Sequence, residues 1–231
     1  MFGTAQRLRR TKNTDLCIGD EPLEKVQNYK YLGMWMDVNL NWHHHIDVMR
    51  GKIAKRLGVL RRVRNYLTDD LTTQLYNAMV LPLFDYCDTI YGTTDQKALT
   101  KLQRLQNRGA KTILKVPMDT STQTVLTTLN WLPLNSRVTY HSHILMYKCL
   151  NGLAPDYLCR EFNYVNHSHN TRYRAKQVLY VNKTKLEVTK RSFKHHGAIN
   201  WNSLPEYCKT AQSLNVFKSV VLKHMYTTQC S

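Results

Sequence analysis

The chain has 231 residues, of which 42% are hydrophobic, and it carries 33 Lys and Arg against 16 Asp and Glu. This length and composition suit one domain or two small ones with a buried core. The net charge of +17 favours polyanionic partners, nucleic acid first and an anionic membrane surface second. The longest uninterrupted apolar run, 78–84, contains Pro82 and falls far short of the roughly 20 residues of a membrane-spanning helix, so no membrane span is expected.

The N-terminus and the cysteines indicate the compartment. The first residues lack an apolar stretch of the length that a secretory signal requires, and the 6 cysteines include no Cys-x-x-Cys pair. We therefore expect an intracellular, reducing location, in the nucleus or the cytoplasm, without a disulfide framework or a zinc ribbon. The three consecutive histidines His43-His44-His45 cannot share one helix face, and no Cys pair or His-Glu-x-x-His motif accompanies any of the histidine groups. No metal site is therefore expected.

Weak extended signals around turn residues characterise 1–40. Extended pieces at 15–18 and 26–35 flank the turn residues Gly19-Asp20-Glu21-Pro22, and this pattern predicts a two-stranded β-hairpin. Because an isolated hairpin is only marginally stable, we expect it to lean on the following helices or on a missing neighbour.

A basic amphipathic helix is predicted next, capped by Asn41. Its apolar face is formed by Ile46, Met49, Ile53, Leu57 and Leu60. Its other faces carry many cations and no acid beyond Asp47, so the helix repels itself electrostatically. A polyanion would relieve that repulsion.

Two more helices follow. The first begins at Thr68 with Asp69 and Asp70, where the positive end of the helix dipole favours acids, and should kink at Pro82. Its inward face is predicted to comprise Leu71, Leu75, Ala78, Met79 and Tyr86. The second opens with the capping-box spacing Thr93-x-x-Gln96 and runs to about Lys115.

The remaining chain reads as shorter helices separated by a polar segment. Short helices are predicted near 124–129 and after Pro155, with a longer one over 135–150. The polar stretch 163–177 is predicted to be a linker, and 178–231 a small, mostly helical C-terminal region. The helix that ends this region should bury Leu214, Phe217, Val221 and Met225.

The helix after Thr93 has the sharpest local pattern of the chain. Its cations recur at intervals of three and four residues, so at about 100° per residue they share a stripe roughly 80° wide. These cations are Lys97, Lys101, Arg104, Arg108, Lys111 and Lys115. Together with Arg61, Arg62 and Arg64 of the first helix they are the candidate nucleic-acid-binding residues, since such a ridge would follow a phosphate backbone without reading bases. The alternative is a solvated charged face.

No catalytic constellation is predicted. Asp69-Asp70 superficially resembles the aspartate pair of polymerases, but that pair needs a strand turn and a third acid to hold two metal ions. Here the two acids open a helix, and capping explains them. The sequence contains no Walker loop, nucleophile elbow or dinucleotide fingerprint.

Motifs spread over nearly the whole chain resemble the reverse transcriptases of jockey-like non-LTR (LINE) retrotransposons. Met1-Phe2-Gly3-Thr4 is similar to the strand after the catalytic motifs, and Tyr31-Leu32-Gly33 to the palm-to-thumb junction. Further matches are Asp37, Leu40, His45-Ile46, Tyr86-Cys87, Tyr91-Gly92, Leu102-Gln103-x-x-Gln106-Asn107-x-x-x-Lys111, Leu129-Asn130-Trp131-Leu132-Pro133-Leu134, Arg137, Tyr147-Lys148, Asn151-Gly152, Ala154-Pro155, Tyr157-Leu158, Thr171-Arg172, Phe193, Trp201-Asn202-Ser203-Leu204-Pro205 and Phe217-Lys218.

The resemblance implies a mainly α fold. Residues 1–40 would be a hairpin remnant of the polymerase palm end, and 41–162 a helical thumb-like bundle. The family's Tyr-x-Asp-Asp motif, its other metal-binding aspartate and its endonuclease would lie before Met1, and no Cys-Cys-His-Cys knuckle follows the thumb. Magnesium would thus belong to the missing palm, and no cofactor is expected for the chain itself.

These observations lead to one main hypothesis and two alternatives. The main hypothesis is a binding module that holds RNA or an RNA–DNA hybrid by its backbone and does not polymerise alone. The first alternative is a non-catalytic interaction protein, or an inactive transposon relic, whose basic helices pack on a protein partner. The second is a chain that completes a polymerase palm supplied in trans.

Overall fold

The computed structural model describes residues 17–165 and 178–229, and this part of the chain is mainly helical, as predicted. The segments Met1–Thr4 and Thr171-Arg172, which carry part of the resemblance, lie outside the described residues. None of the described helices is both long enough and apolar enough to cross a membrane.

Two small antiparallel hairpins replace the single predicted one. Strands β1 (Cys17–Ile18) and β2 (Glu21–Pro22) form the first, and β3 (Asn28–Tyr31) and β4 (Met34–Asp37) form the second. The second hairpin is in register with Asn28 opposite Asp37. The division arises because Gly19 and Gly33 both adopt positive φ, and each closes a tight turn.

The helices follow in chain order with short connections. Their bounds are α1 His43–Val63, α2 Asp69–Met79, α3 Leu81–Asp85, α4 Asp88–Tyr91, α5 Gln96–Ile113, α6 Thr122–Thr128, α7 Leu134–Leu150, α8 Asp156–Cys159, α9 Glu187–Lys190, α10 Phe193–Ser203, α11 Glu206–Lys209 and α12 Leu214–Gln229.

The turn into α1 is organised by the buried carboxylate of Asp37. Its oxygens accept hydrogen bonds from the backbone N–H groups of Asn39 and Asn41, both at 3.1 Å, and of Trp42 at 2.8 Å. Trp42, in a left-handed conformation, occupies the cap position without a side-chain hydrogen bond, and Asn41, the predicted cap, lies one residue earlier and accepts a hydrogen bond from the His43 N–H at 3.0 Å. Asp37 thereby fixes the direction in which α1 leaves the hairpin.

Two details of α2 and α3 differ from the prediction. Thr68 caps α2 as predicted, but the buried face contains Thr72 and Tyr76, whereas Leu71 is 48% exposed. Pro82 ends the helix instead of kinking it, because it lies in the first turn of the separate helix α3, where its missing N–H costs nothing.

Helix α5 is capped by Asp95, so the predicted capping box at Thr93 is wrong. The Asp95 carboxylate accepts a hydrogen bond from the Ala98 N–H at 2.9 Å. The hydroxyl of Thr93 instead donates to the carbonyl oxygen of Ile90. Thr94, the residue before this cap, is held by the turn that leads into α1, its hydroxyl donating to the Asn41 carbonyl at 2.7 Å.

The described residues bury two main hydrophobic cores, and α7 contributes to both. The first core includes Met34, Ile46, Met49, Ile53, Leu57, Leu60, Tyr76, Val80, Phe84, Tyr91, Ala98, Leu102, Ile113 and Leu134. The second includes Met146, Tyr147, Leu179, Ala198, Trp201, Leu204, Cys208, Phe217 and Val221. In the second core the ring of Phe217 stacks on that of Tyr147, with centroids 4.4 Å apart.

A polar network ties α3 and α4 to α7. The guanidinium of Arg137 donates to both carboxylate oxygens of Asp85, at 2.6 and 2.7 Å, and His141 pairs with the buried Asp88 at 2.5 Å. Burial raises the pKa of Asp88, and the hydrogen bond from His141 opposes that rise. Asp85, Asp88 and His141 lie close enough together to hold a cation, but Arg137 already occupies both oxygens of Asp85.

Acidification should destabilise the fold through His143. Desolvation by burial, assisted by His224, His196 and Lys209, lowers the pKa of His143 from 6.5 to about 4. A group whose pKa is lowered on folding contributes stability above its unfolded pKa and loses it as the pH falls through its folded pKa. Between pH 6.5 and pH 4, the lowered pKa of His143 should reduce the free energy of unfolding by about 1.4 kcal/mol per pH unit. The total loss should be about 3 kcal/mol.

The measurement is urea unfolding of the wild type and of a His143→Met variant from pH 8 to pH 4. The variant should lose markedly less stability than the wild type on acidification. Above pH 7 the two proteins should respond to pH in the same way, because His143 is neutral there in both the folded and the unfolded state. Identical slopes below pH 6.5 would contradict the assignment.

Candidate nucleic-acid interface

The two basic helices α1 and α5 lie side by side and run in the same direction. His43 pairs with Asp95 at their N-terminal ends. Farther along, Lys101 lies 3.5 Å from Asp47, and Nη1 of Arg64 donates to the carbonyl oxygen of Thr112 at 3.3 Å. The structure therefore places Lys101 of the predicted α5 stripe close to Arg50 of α1, with Asp47 between them.

Four of the predicted stripe residues remain accessible on α5. Lys97, Lys101 and Arg104 are exposed and Arg108 is partly exposed, while Leu102 on the opposite side is completely buried. Asp47 is the acid that α1 places beside this stripe, and it is shared by Lys101 and Arg50. We call Lys97, Lys101, Arg104 and Arg108 the α5 stripe.

Lys111 does not belong to the accessible stripe, so this part of the prediction is wrong, whereas Lys115 is exposed but lies beyond the end of the helix. Lys111 is buried, and its ammonium donates to the carbonyl oxygen of Met118 at 2.6 Å. The helix ends at Ile113, and Lys115 adopts a positive φ and lies 3.1 Å from Asp69. Lys111 is therefore held by a carbonyl group of the segment after the helix, while Lys115 remains at the surface and pairs with Asp69.

The cations of α1 divide by position around the helix. At about 100° per residue, Arg50 and Arg61 lie on the flank next to α5, and Lys52 and Arg56 lie on the opposite flank. Lys55 and Arg62 occupy the exposed crest between the two flanks. Of the predicted residues, Arg61 and Arg62 are thus accessible, whereas Arg64 is directed to the Thr112 carbonyl.

Sequence reasoning overlooked a second source of positive charge. The only acids in 163–231 are Glu187 and Glu206, while basic residues occur throughout this region. Its described cations are Lys183, Lys185, Lys190, Arg191, Lys194, Lys209, Lys218 and Lys223. They follow no helical period, so the signal that could have revealed them is the local charge balance.

The residues that carry the family resemblance contact one another. The Tyr86 hydroxyl donates to the carbonyl oxygen of Leu32. The Gln106 amide donates to the carbonyl oxygen of Leu132, and the Gln103 carbonyl accepts from the Leu134 N–H at 2.7 Å. These motif residues thus join separate segments of the fold and lie apart from the α5 stripe.

Comparison with known proteins gives one informative result. A 98-residue part of the chain, 41% of its length, is 29% identical to the RNA-directed DNA polymerase from mobile element jockey of Drosophila funebris. The aligned part spans only 11% of the length of that relative. No family profile and no solved structure matches the chain significantly. The similarity supports a relation to reverse transcriptases.

Replacing each of two lysines of α5 by glutamine should have very different effects on the free energy of unfolding. Lys111→Gln removes the buried bond to Met118 and should lower the unfolding free energy by about 1–3 kcal/mol. Lys97→Gln, the matched control on the exposed surface, should stay within about 0.5 kcal/mol. Urea unfolding of the three proteins measures both effects, and equal stability of the two variants would mean that Lys111 is solvated like Lys97.

Proposed function

We propose that this chain is the thumb-like, C-terminal part of a non-LTR retrotransposon reverse transcriptase and binds RNA or an RNA–DNA hybrid through its phosphate backbone. The similarity to the jockey polymerase supports the family. The observation that carries the binding role is the α5 stripe, which stays exposed although the opposite face of the same helix is buried. Helix α5 itself contains no acid that could neutralise the stripe.

The catalytic aspartates would belong to a palm that acts with this chain in cis or in trans. Exposed apolar side chains on the β3–β4 hairpin support such a protein partner. Tyr29 and Tyr31 are each 58% exposed and Leu32 is 73% exposed, although β4 packs against α1. A palm would cover this surface while the basic helices remain available to nucleic acid.

The first test measures RNA binding as a function of salt. Replacing the α5 stripe residues by glutamine removes four phosphate contacts and should make the slope of log K against log salt shallower by roughly three to four units. The effect should be equal for unrelated RNA sequences, because backbone contacts do not read bases. Far-ultraviolet circular dichroism should show intact folding.

The matched control removes the same charge elsewhere. Lys183, Lys185, Lys190 and Lys223 are exposed cations of the C-terminal region. Their combined replacement by glutamine should change the slope much less than replacement of the stripe. Equal effects of the two quadruple variants would show that total charge, and not the α5 stripe, determines binding.

The second test concerns catalysis. The chain alone should not extend a primer on any template with Mg²⁺ or Mn²⁺, because two-metal catalysis requires carboxylates free to coordinate the ions. In the described part of the chain the Asp85, Asp88 and His141 cluster is held by Arg137. Primer extension that disappears in an Asp85→Asn variant would contradict the proposal.

A further inference from the structure

A cleft of about 320 Å³ lies between the β3–β4 hairpin, α1 and α3. One stripe of α1, containing Met49, Lys52 and Arg56, lines it from below, and the aromatic side chains of Trp35 and Tyr86 line it from the hairpin and from the residue after α3. Sites for small ligands usually have volumes of about 300–1,000 Å³, so the volume of this cleft is at the lower end of that range. The cleft is on the flank of α1 opposite the α5 stripe.

Contacts within the protein hold the walls of the cleft in place. The Tyr86 hydroxyl donates to the Leu32 carbonyl, and a Cβ atom at Gly33 would lie 3.4 Å from the Tyr86 ring. The guanidinium of Arg56 donates to the Met79 carbonyl at the other end. The aromatic wall and the guanidinium therefore need no ligand to be positioned.

The lining has the chemistry of an anion site with an aromatic surface. Among residues 17–165 and 178–229, no Asp or Glu lines the cleft and the exposed Lys52 has no ion-pair partner. His45 accepts from the Trp35 N–H through Nδ1, so Nε2 carries the proton of the neutral ring, and this buried nitrogen has no partner among the described residues. Burial, together with the neighbouring Lys52 and His44, lowers the pKa of His45.

We propose that this cleft binds one unpaired nucleotide of the bound strand, with the base against Tyr86 and the phosphate at Lys52. Tyr86 is 49% exposed, and a base of any identity can stack on such an accessible ring. That the nucleotide belongs to a bound strand rests on the proposed function. The assignment of a nucleotide site to this cleft depends only on the cleft itself. A strand that crosses the crest at Lys55 and Arg62 passes from the α5 stripe to this flank.

The main experiment compares two RNA duplexes of equal length, one fully paired and one with a single bulged adenosine. The wild-type chain should bind the bulged duplex about tenfold more tightly, since stacking of one base is worth roughly 1–3 kcal/mol. Val48→Phe, which fills the cleft from α1, should abolish this preference. Val216→Phe, at an exposed valine of α12 outside the cleft, is the matched control and should retain it.

A second measurement uses AMP, with ribose 5-phosphate for comparison, in calorimetric titrations. AMP should bind saturably, and Lys52→Gln should weaken it about tenfold because a charge-assisted hydrogen bond is lost. Lys52 is exposed, so this variant tests the cleft even if Val48→Phe fails to fold. Equal binding of ribose 5-phosphate and AMP would overturn the proposal, because it would show an anion site without base recognition.

The outcomes separate the cleft from the proposed function. The α5 stripe variant should weaken both duplexes equally and leave the bulge preference unchanged. RNA binding with no bulge preference and no AMP binding would overturn the cleft and leave the proposed function standing. AMP binding without any RNA binding would overturn the proposed function, and with it the strand as the source of the nucleotide.

Discussion

The two ends of helix α7 pack into different hydrophobic cores. Leu134 at its start is buried in the first core, and Met146 and Tyr147 near its end are buried in the second. Between these ends, Arg137 binds Asp85 and His141 binds Asp88, so polar contacts fix the helix where the apolar contacts change sides. The position of the C-terminal helices relative to α1 and α5 therefore depends on how α7 is anchored.

Apolar contacts in the first core allow the two basic helices α1 and α5 to lie together. Like charges about 4 Å apart in water repel by about 1 kcal/mol, whereas burying one Leu or Ile side chain contributes roughly 1.5–3 kcal/mol. Ile53, Leu57 and Leu102 are completely or almost completely buried between these helices and their neighbours, so the apolar contacts outweigh the repulsion. The charge can accumulate on the outer surface because the inner faces hold the helices in place.

The sequence predicts those features that depend on local periodicity. The apolar faces of α1 and α12 and the positions of most helices follow from spacings of three and four residues. It fails where a distant group competes. Thr94 is bonded to Asn41 and the cap of α5 moves to Asp95, and Lys111 turns inward because a carbonyl at Met118 needs a donor. The cleft could not be predicted, since its lining comes from three segments that only the fold brings together.

The resemblance to a polymerase and the proposed binding of nucleic acid rest on different residues of this chain, except at Tyr86, which belongs to both. Gln103, Gln106 and Tyr86 resemble the polymerase family, but their side chains join segments of the fold through hydrogen bonds to backbone groups. Replacing them would disturb folding and function together. The α5 stripe makes no contribution to either core, and Lys52 has no ion-pair partner in the described part of the chain. Substitutions at these exposed cations are therefore expected to leave the fold intact, so an effect on the proposed binding can be separated from an effect on stability.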